Sequence, residues 1–129
     1  MRKEFSFPKS LRLLNSSDFS PVFDKPSFKV HHPQFLLLAK FNNLNHPRLG
    51  IVVAKKNIRL AVNRNRTKRL IRETFRNKQN NLPTIDAIVL ARRGNEELLN
   101  EQILEILEGI WRRAAKKAQK NNPPKERER

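Results

Sequence analysis

Cysteine and tyrosine are absent from this chain, and glycine occurs only three times. Without cysteine the chain has no disulfide, no thiolate metal ligand and no cysteine nucleophile, as expected in a reducing compartment. The longest apolar run, residues 35–41, has only the length of a strand and contains Lys40, so no membrane span is predicted. Residues 1–3 are followed by Glu4 rather than by an apolar segment, so we expect no signal peptide and a cytoplasmic protein.

Acidic residues are also scarce, since 12 Asp and Glu stand against 28 Lys and Arg in 129 residues. The resulting net charge of +16 exceeds what solubility asks of a small domain and indicates a polyanionic partner. With 37% hydrophobic residues the chain can bury one core. We expect a single domain over residues 1–115 and a basic, disordered, proline-interrupted tail over residues 116–129.

The hydrophobic pattern predicts helices and strands in the order α-β-β-β-α-β-α. The predicted elements are an extended entry (5–14), a helix capped by residues 16–18, strands at 28–31, 34–42, 48–54 and 86–91, a helix at 63–80 and a helix from residue 96. The last helix is predicted to bury an apolar face that begins with Leu99. We expect an α+β two-layer sandwich in which the first three strands form an antiparallel meander and the helices pack on one sheet.

Positive charge is concentrated in residues 48–78, which hold eleven basic residues and one acid, Glu73. On a helix, five of the basic residues after position 63 fall within one arc, opposite the apolar stripe of Leu70, Thr74 and Phe75. A merely solvated face would mix in acids at i,i+4 spacing, and only Arg69 with Glu73 has that arrangement. The pattern therefore favours polyanion binding. The arc contains Arg64, Asn65, Lys68, Arg69, Arg72 and Arg76, and Lys55 and Lys56 precede it.

No catalytic constellation is visible in the sequence. Of the three histidines, His32 and His46 adjoin proline in predicted turns, where an exposed residue without a catalytic role is typical. Glu73 and Asp86 are isolated carboxylates without metal-ligand spacing. We therefore predict no protein active site and no protein-bound metal, and we expect Trp111 to anchor the last helix in the core.

Two motifs carry a resemblance to a known family. The strand R-L-G-I-V-V-A-K-K (48–56) is followed by N-R-N-R-T-K-R-L-I-R-E-T-F-R (63–76), and together they resemble the bacterial ribonuclease P protein component. The early D-F-x-x-V-F segment (18–23), the D-x-x-x-x-A-R strand (86–92) and the closing W-R-R (111–113) extend the likeness over most of the chain.

The resemblance implies a protein subunit of a ribonucleoprotein that removes 5′ leaders from precursor tRNA, with an RNA subunit as catalyst. The partners implied are the catalytic RNA and precursor tRNA, with no obligate protein partner and no membrane. It also implies a four-stranded mixed sheet with a left-handed crossover through the R-N-R helix. Mg²⁺ would be held mainly by RNA phosphates rather than by this chain.

By the same resemblance, two surfaces would contact RNA. The RNA-binding residues would be Lys55, Lys56, Arg64, Asn65, Arg66, Lys68, Arg69, Arg72 and Arg76. A cleft for the single-stranded leader would be lined by Phe19, Phe23, Leu36 and Leu38, where aromatic rings can stack on unpaired bases of any sequence.

Two other functions share the charge and the fold. A structural or ribosomal-type RNA-binding protein would bind RNA without promoting cleavage, and a free-standing basic nuclease would depend on His31 or His32. For Phe19 and Phe23 the alternative to base stacking is packing against each other at i,i+4 spacing.

Overall fold

The computed structural model describes residues 9–121 and contains three α-helices and four strands. In chain order they are α1 (Ser16–Asp24), β1 (Phe28–His31), β2 (Phe35–Phe41), β3 (Arg48–Val52), α2 (Ala61–Lys78), β4 (Ile85–Ala91) and α3 (Asn100–Lys120). This α+β order agrees with the predicted one.

The four strands form one mixed sheet in the order β1-β2-β4-β3. β4 pairs with β2 in the antiparallel sense and with β3 in the parallel sense, so the predicted meander of the first three strands is wrong. The physical reason is the burial of β4, which is apolar on both faces and inaccessible along nearly all its length. Such a strand buries most surface in the centre of a sheet. The connection from β3 through α2 to β4 is a βαβ crossover. That this crossover is left-handed stays a prediction.

Alternation along the strands divides the side chains between two layers. One set packs with α2 and α3 in the main core, which includes Phe35, Leu37, Ile71, Phe75 and Trp111. The other set packs with Val22 of α1 in a smaller cluster that includes Leu38 and Ile88. The helix α1 therefore covers one part of the opposite sheet face.

The helices α2 and α3 run side by side in the same direction. Near their starts, Arg66 Nη1 lies 3.2 Å from Asn100 Oδ1, and further along Trp111 Nε1 donates to Thr74 Oγ1 at 3.0 Å. Trp111 is 1% exposed, which confirms it as a core anchor. α2 contacts β3, whereas α3 contacts β1, so the two helices lie toward opposite edges of the sheet.

Both outer strands have contacts along part of their free edge, which hinders pairing with other chains there. On β1, Lys117 Nζ donates to the Lys29 carbonyl at 2.6 Å and Arg113 Nη2 donates to the His31 carbonyl at 2.8 Å. On β3, the Leu13 amide donates to the Leu49 carbonyl at 2.9 Å.

Several predicted boundaries need correction. The cap of α1 is Asn15, whose Oδ1 accepts from the Asp18 amide at 3.2 Å, rather than residues 16–18. A single turn of 3₁₀ helix and an extended Leu98 precede α3, so the helix begins at residue 100 and Leu99 is exposed rather than buried. The predicted disordered tail is wrong for residues 116–120, which continue α3 and bury Ala118. The rest of that tail and residues 5–8 of the predicted extended entry lie outside the described residues, and residues 9–11 form a turn of 3₁₀ helix rather than extended backbone.

Candidate RNA interface

The basic face of α2 consists of Asn65, Lys68, Arg69, Arg72 and Arg76, and its residues are exposed or half-buried. It lies opposite the buried stripe of Thr67, Leu70, Ile71, Thr74 and Phe75. Within residues 9–121, the ion pairs join Arg48 to Asp86 and Asp18, and no cation of α2 lies within 4.0 Å of a carboxylate. The sequence-based expectation of an Arg69–Glu73 pair is therefore not met. A concavity of about 530 Å³ along this face is lined by Val62, Asn63, Asn65, Arg66, Arg69 and Arg72.

Arg72 shows the electrostatic cost of this arrangement. Its burial lowers the pKa of the guanidinium, and the nearby charges of Arg12, Arg76 and Arg69 lower that pKa further. Both effects disfavour the cation, and the pKa of an arginine is high enough for it to keep its charge. An anion bound among these groups would relieve the repulsion that they share.

The two arginines of the R-N-R motif have partners within the chain. Arg66 donates to the carbonyls of Leu98 at 2.9 Å and Asn95 at 3.1 Å, and so fastens the start of α2 to the loop before α3. Arg64 Nη1 donates to the carbonyls of Ile58 at 3.1 Å and Arg59 at 2.7 Å. These bonds give each guanidinium a structural role. Contact of either arginine with RNA stays a prediction from the resemblance.

Asn95 continues this fastening toward the sheet. It is fully buried, and its Nδ2 donates at 2.9 Å to the carbonyls of both Gln34 and Arg92. Arg66, bonded to the backbone of Asn95, thereby connects α2 to the turn between β1 and β2.

Lys55 and Lys56 lie in the turn after β3, and both are exposed. Asn57 fixes this turn, because its Nδ2 donates to the Ala91 carbonyl at 3.0 Å. Arg64 bonds the next residues of the same loop, so the two lysines lie beside the start of α2, as predicted.

The predicted leader cleft lies between α1 and the sheet. The rings of Phe19 and Phe23 are stacked at 6.3 Å with an angle of 21° between their planes. Phe23 is 43% exposed, whereas Leu38 is only 7% exposed and belongs to the cluster beneath α1. Phe19 packs over Gly50, where a Cβ atom would stand 2.9 Å from its ring. Phe19 and Leu38 are thus partly structural, and Phe23 presents the open ring.

Two apolar residues of this cleft, Val52 and Leu90, were missed in the sequence. Both are half-buried, and the sheet register aligns them with Leu36 in one row across three strands. The alternation of side chains along β3 and β4 indicates that these residues share a sheet face. The row can be recognised only once β4 is known to lie between β2 and β3.

Arg12 was also missed, because nothing local distinguishes it in the extended entry. It pairs with Leu49 of β3 in a parallel bridge and lines a pocket of about 250 Å³ with Leu13, Phe19, Leu49, Ile51 and Arg72. This pocket joins the leader cleft to the basic face of α2.

Arg48 is one of the basic residues concentrated in residues 48–78, but in the structure it bonds to carboxylates. Its Nε and Nη2 donate to the two carboxylate oxygens of Asp86 at 2.9 and 2.8 Å, and its Nη1 lies 3.7 Å from Asp18 of α1. The hydrogen bond to Asp86 raises the pKa of Arg48. Arg48 therefore joins α1 to the sheet, and its guanidinium is engaged by these carboxylates rather than available to an anion.

Two of the three histidines contact the backbone of their own turns. His32 Nδ1 accepts from the Gln34 amide at 3.0 Å, and burial, with Arg113 and Arg92, lowers its pKa. His46 Nδ1 lies 3.0 Å from the Pro47 carbonyl. Between residues 9 and 121, no three His, Asp or Glu side chains cluster as metal ligands. No helix in that range has the length and hydropathy of a membrane span.

Comparison with known proteins decides the family. Residues 7–115 match the family model for ribonuclease P. The chain belongs to the ribonuclease P protein family. A ribonuclease P protein component of Saccharophagus degradans is 51% identical over 116 residues, which cover 90% of this chain and 86% of that protein. An Escherichia coli ribonuclease P protein component is 47% identical over 110 residues, or 85% of this chain and 92% of that one.

Solved ribonuclease P proteins also share the fold. The Staphylococcus aureus RNase P protein aligns with a TM-score of 0.76 at 34% identity over 82% of this chain and 96% of its own. The Thermotoga maritima RNase P protein aligns with a TM-score of 0.69 at 31% identity over 79% and 96%. The four-stranded mixed sheet with three helices is therefore the fold of this family.

Arg66 and Arg69 lie three residues apart on one helix, so alanine substitution separates their roles. We expect Arg66→Ala to lower the free energy of unfolding by about 1 to 3 kcal/mol, because it leaves the partly buried carbonyls of Asn95 and Leu98 without these donors. We expect Arg69→Ala to change stability by less than about 0.5 kcal/mol. It should reduce the salt dependence of RNA binding by about 0.7 to 0.9 units of slope.

Urea denaturation and RNA titration at several salt concentrations measure the two effects. An Arg66→Ala protein of normal stability would contradict the structural role of Arg66. An unchanged slope for Arg69→Ala would mean that Arg69 contacts no phosphate.

Proposed function

We propose that this chain works through two surfaces, the basic face of α2 on the catalytic RNA and the cleft beside α1 on the 5′ leader of precursor tRNA. As a ribonuclease P protein, it is a subunit of the ribonucleoprotein endoribonuclease that matures the 5′ ends of tRNA, and the catalysis is by the RNA.

The observation that carries the proposal is the set of cations on α2 without acidic partners in the described chain. Arg69, Arg72 and Arg76 project from a helix whose other face is buried. Because folding already orders this helix, RNA binding does not have to offset the entropy lost on ordering it. Arginine presents a planar fork of donors that suits bidentate contact with phosphate oxygens. This surface fits an RNA backbone and needs no base sequence.

The cleft has the chemistry for unpaired bases. The exposed ring of Phe23 offers a face on which a base can stack, and the row of Leu36, Leu90 and Val52 provides an apolar floor. Arg12 and Arg72 share a pocket with Phe19, so a strand in the cleft continues onto the basic face of α2 beside them. We therefore propose that the leader leaves the catalytic RNA along this path.

We assign the magnesium ions of the reaction to RNA phosphates. Mg²⁺ retains much of its water and prefers phosphate and carboxylate oxygens in octahedral geometry. The carboxylate of Asp86 is engaged by Arg48 and Asn42, and no group of three ligand side chains forms within residues 9–121. The contribution of the protein is then to hold the two RNAs together and lower their mutual repulsion.

Reconstitution tests the proposed function. The purified chain is mixed with precursor tRNA at low Mg²⁺, with and without the cognate catalytic RNA. We expect cleavage at the 5′ end of the mature tRNA only when the catalytic RNA is present, and faster cleavage with the protein than without it. Cleavage by the chain alone, or no stimulation of the RNA, would contradict the proposal.

Phe23 gives the sharper test of the cleft, because Phe19 also packs against Gly50. We expect Phe23→Ala to weaken the affinity of the assembled enzyme for leader-bearing precursor by roughly 5- to 150-fold, the loss of one stacked base. Affinity for mature tRNA should not change. Phe23→Leu keeps apolar contact without a ring and serves as the matched control. Equal losses for precursor and mature tRNA would remove the leader from this cleft.

A further inference from the structure

A second basic surface lies on the C-terminal half of α3. Residues 112–120 contain five cations and no acid, and all five cations are exposed. The acids of α3, Glu101, Glu105 and Glu108, are confined to its first half. Favourable interaction with the helix dipole accounts for cations in the last turn only, so it does not explain the earlier ones. The five cations are Arg112, Arg113, Lys116, Lys117 and Lys120.

Helical spacing sorts these cations into two rows. Arg113 and Lys117 turn toward β1, where they donate to the carbonyls of the sheet edge. Arg112, Lys116 and Lys120 follow each other at i,i+4 spacing on the solvent side. Within residues 9–121 these three form no hydrogen bond and no ion pair. Like charges at this spacing repel each other and weaken a helix, so the row, which we call the α3 row, favours an anionic partner.

The α3 row is separate from the basic face of α2. The helix α2 lies toward β3 and α3 toward β1, and these are the two outer strands of the sheet. The two helices pack side by side, and Arg112 at the start of the row lines a small pocket together with Lys78 at the end of α2, whereas Lys116 and Lys120 lie further along α3. The row shares no residue with the basic face of α2 and extends the positive surface onto a second helix, so phosphates along it would be additional to those bound by α2.

We infer that the α3 row binds the phosphate backbone of a second region of the catalytic RNA, distinct from the region bound by α2. The inference rests on the proposed function. It extends that function because it makes the protein a bridge between two RNA segments rather than a ligand of one. The side chains of Arg113, Lys116, Lys117 and Lys120 border an open concavity of about 450 Å³, which gives a backbone room to approach them.

Charge removal tests the inference without disturbing the fold. The triple variant Arg112→Gln, Lys116→Gln, Lys120→Gln leaves the edge contacts of Arg113 and Lys117 intact. The matched control Lys9→Gln, Lys25→Gln, Arg93→Gln removes the same charge from exposed positions on three other segments. We expect the first variant to reduce the salt-dependence slope of binding to the catalytic RNA by about two to three units. The control should reduce it by less than one unit.

A tethered probe locates the contact. Because the chain lacks cysteine, Gln119→Cys and Asn77→Cys each provide one attachment point for iron–EDTA, on α3 and on α2. We expect hydroxyl radicals from residue 119 to cleave the catalytic RNA at positions different from those cleaved from residue 77.

Equal slopes for the two triple variants, or no cleavage from residue 119, would overturn the inference while leaving the α2 contact in place. Cleavage from both tethers at the same positions would also overturn it. If the unmodified chain fails to bind or stimulate the catalytic RNA, the proposed function itself fails.

Discussion

The packing of α2 against both the sheet and α3 is the constraint on which the rest of the molecule depends. Its buried stripe, including Ile71 and Phe75, is inaccessible to solvent, and Thr74 accepts the indole N–H of Trp111 inside the core. Each Å² of apolar surface that this helix buries stabilises the fold by about 25 cal/mol. The packing also fixes the opposite, basic face of the helix in space. The same helix thus supplies core packing and the cations that confront an RNA, so the binding surface is as rigid as the fold.

Polar contacts then position the surroundings of that helix. Arg66 and Asn95 connect its start to α3 and to the turn between β1 and β2, while Arg48 joins α1 to the sheet through Asp18 and Asp86. Because Arg48 contacts the carboxylates of both α1 and β4, it holds α1, one wall of the cleft, against the sheet. The cleft and the basic face meet at the pocket shared by Phe19, Arg12 and Arg72.

The sequence predicted the features that depend on local pattern. The apolar stripe and basic arc of α2 follow from 3.6-residue periodicity, and β4 was recognised as buried on both faces. Pairing partners could not be found this way, because the position of β4 between β2 and β3 depends on contacts between residues 38 to 56 positions apart. Arg48 and Arg66 were grouped with the other cations for the same reason, since their partners Asp86 and Asn95 are distant in the chain.

Within residues 9–121 the basic face of α2 has no acidic partner, and we expect its cations to become favourable only with a bound anion. The free energy of unfolding, measured by urea denaturation in millimolar sulfate and in chloride at equal ionic strength, tests this expectation directly. A ligand that binds only the folded state stabilises it, so sulfate should raise the free energy of unfolding of the unmodified chain. The increase should be much smaller for the double variant Arg69→Gln, Arg72→Gln. Equal stabilisation of both proteins, or none of either, would contradict the claim.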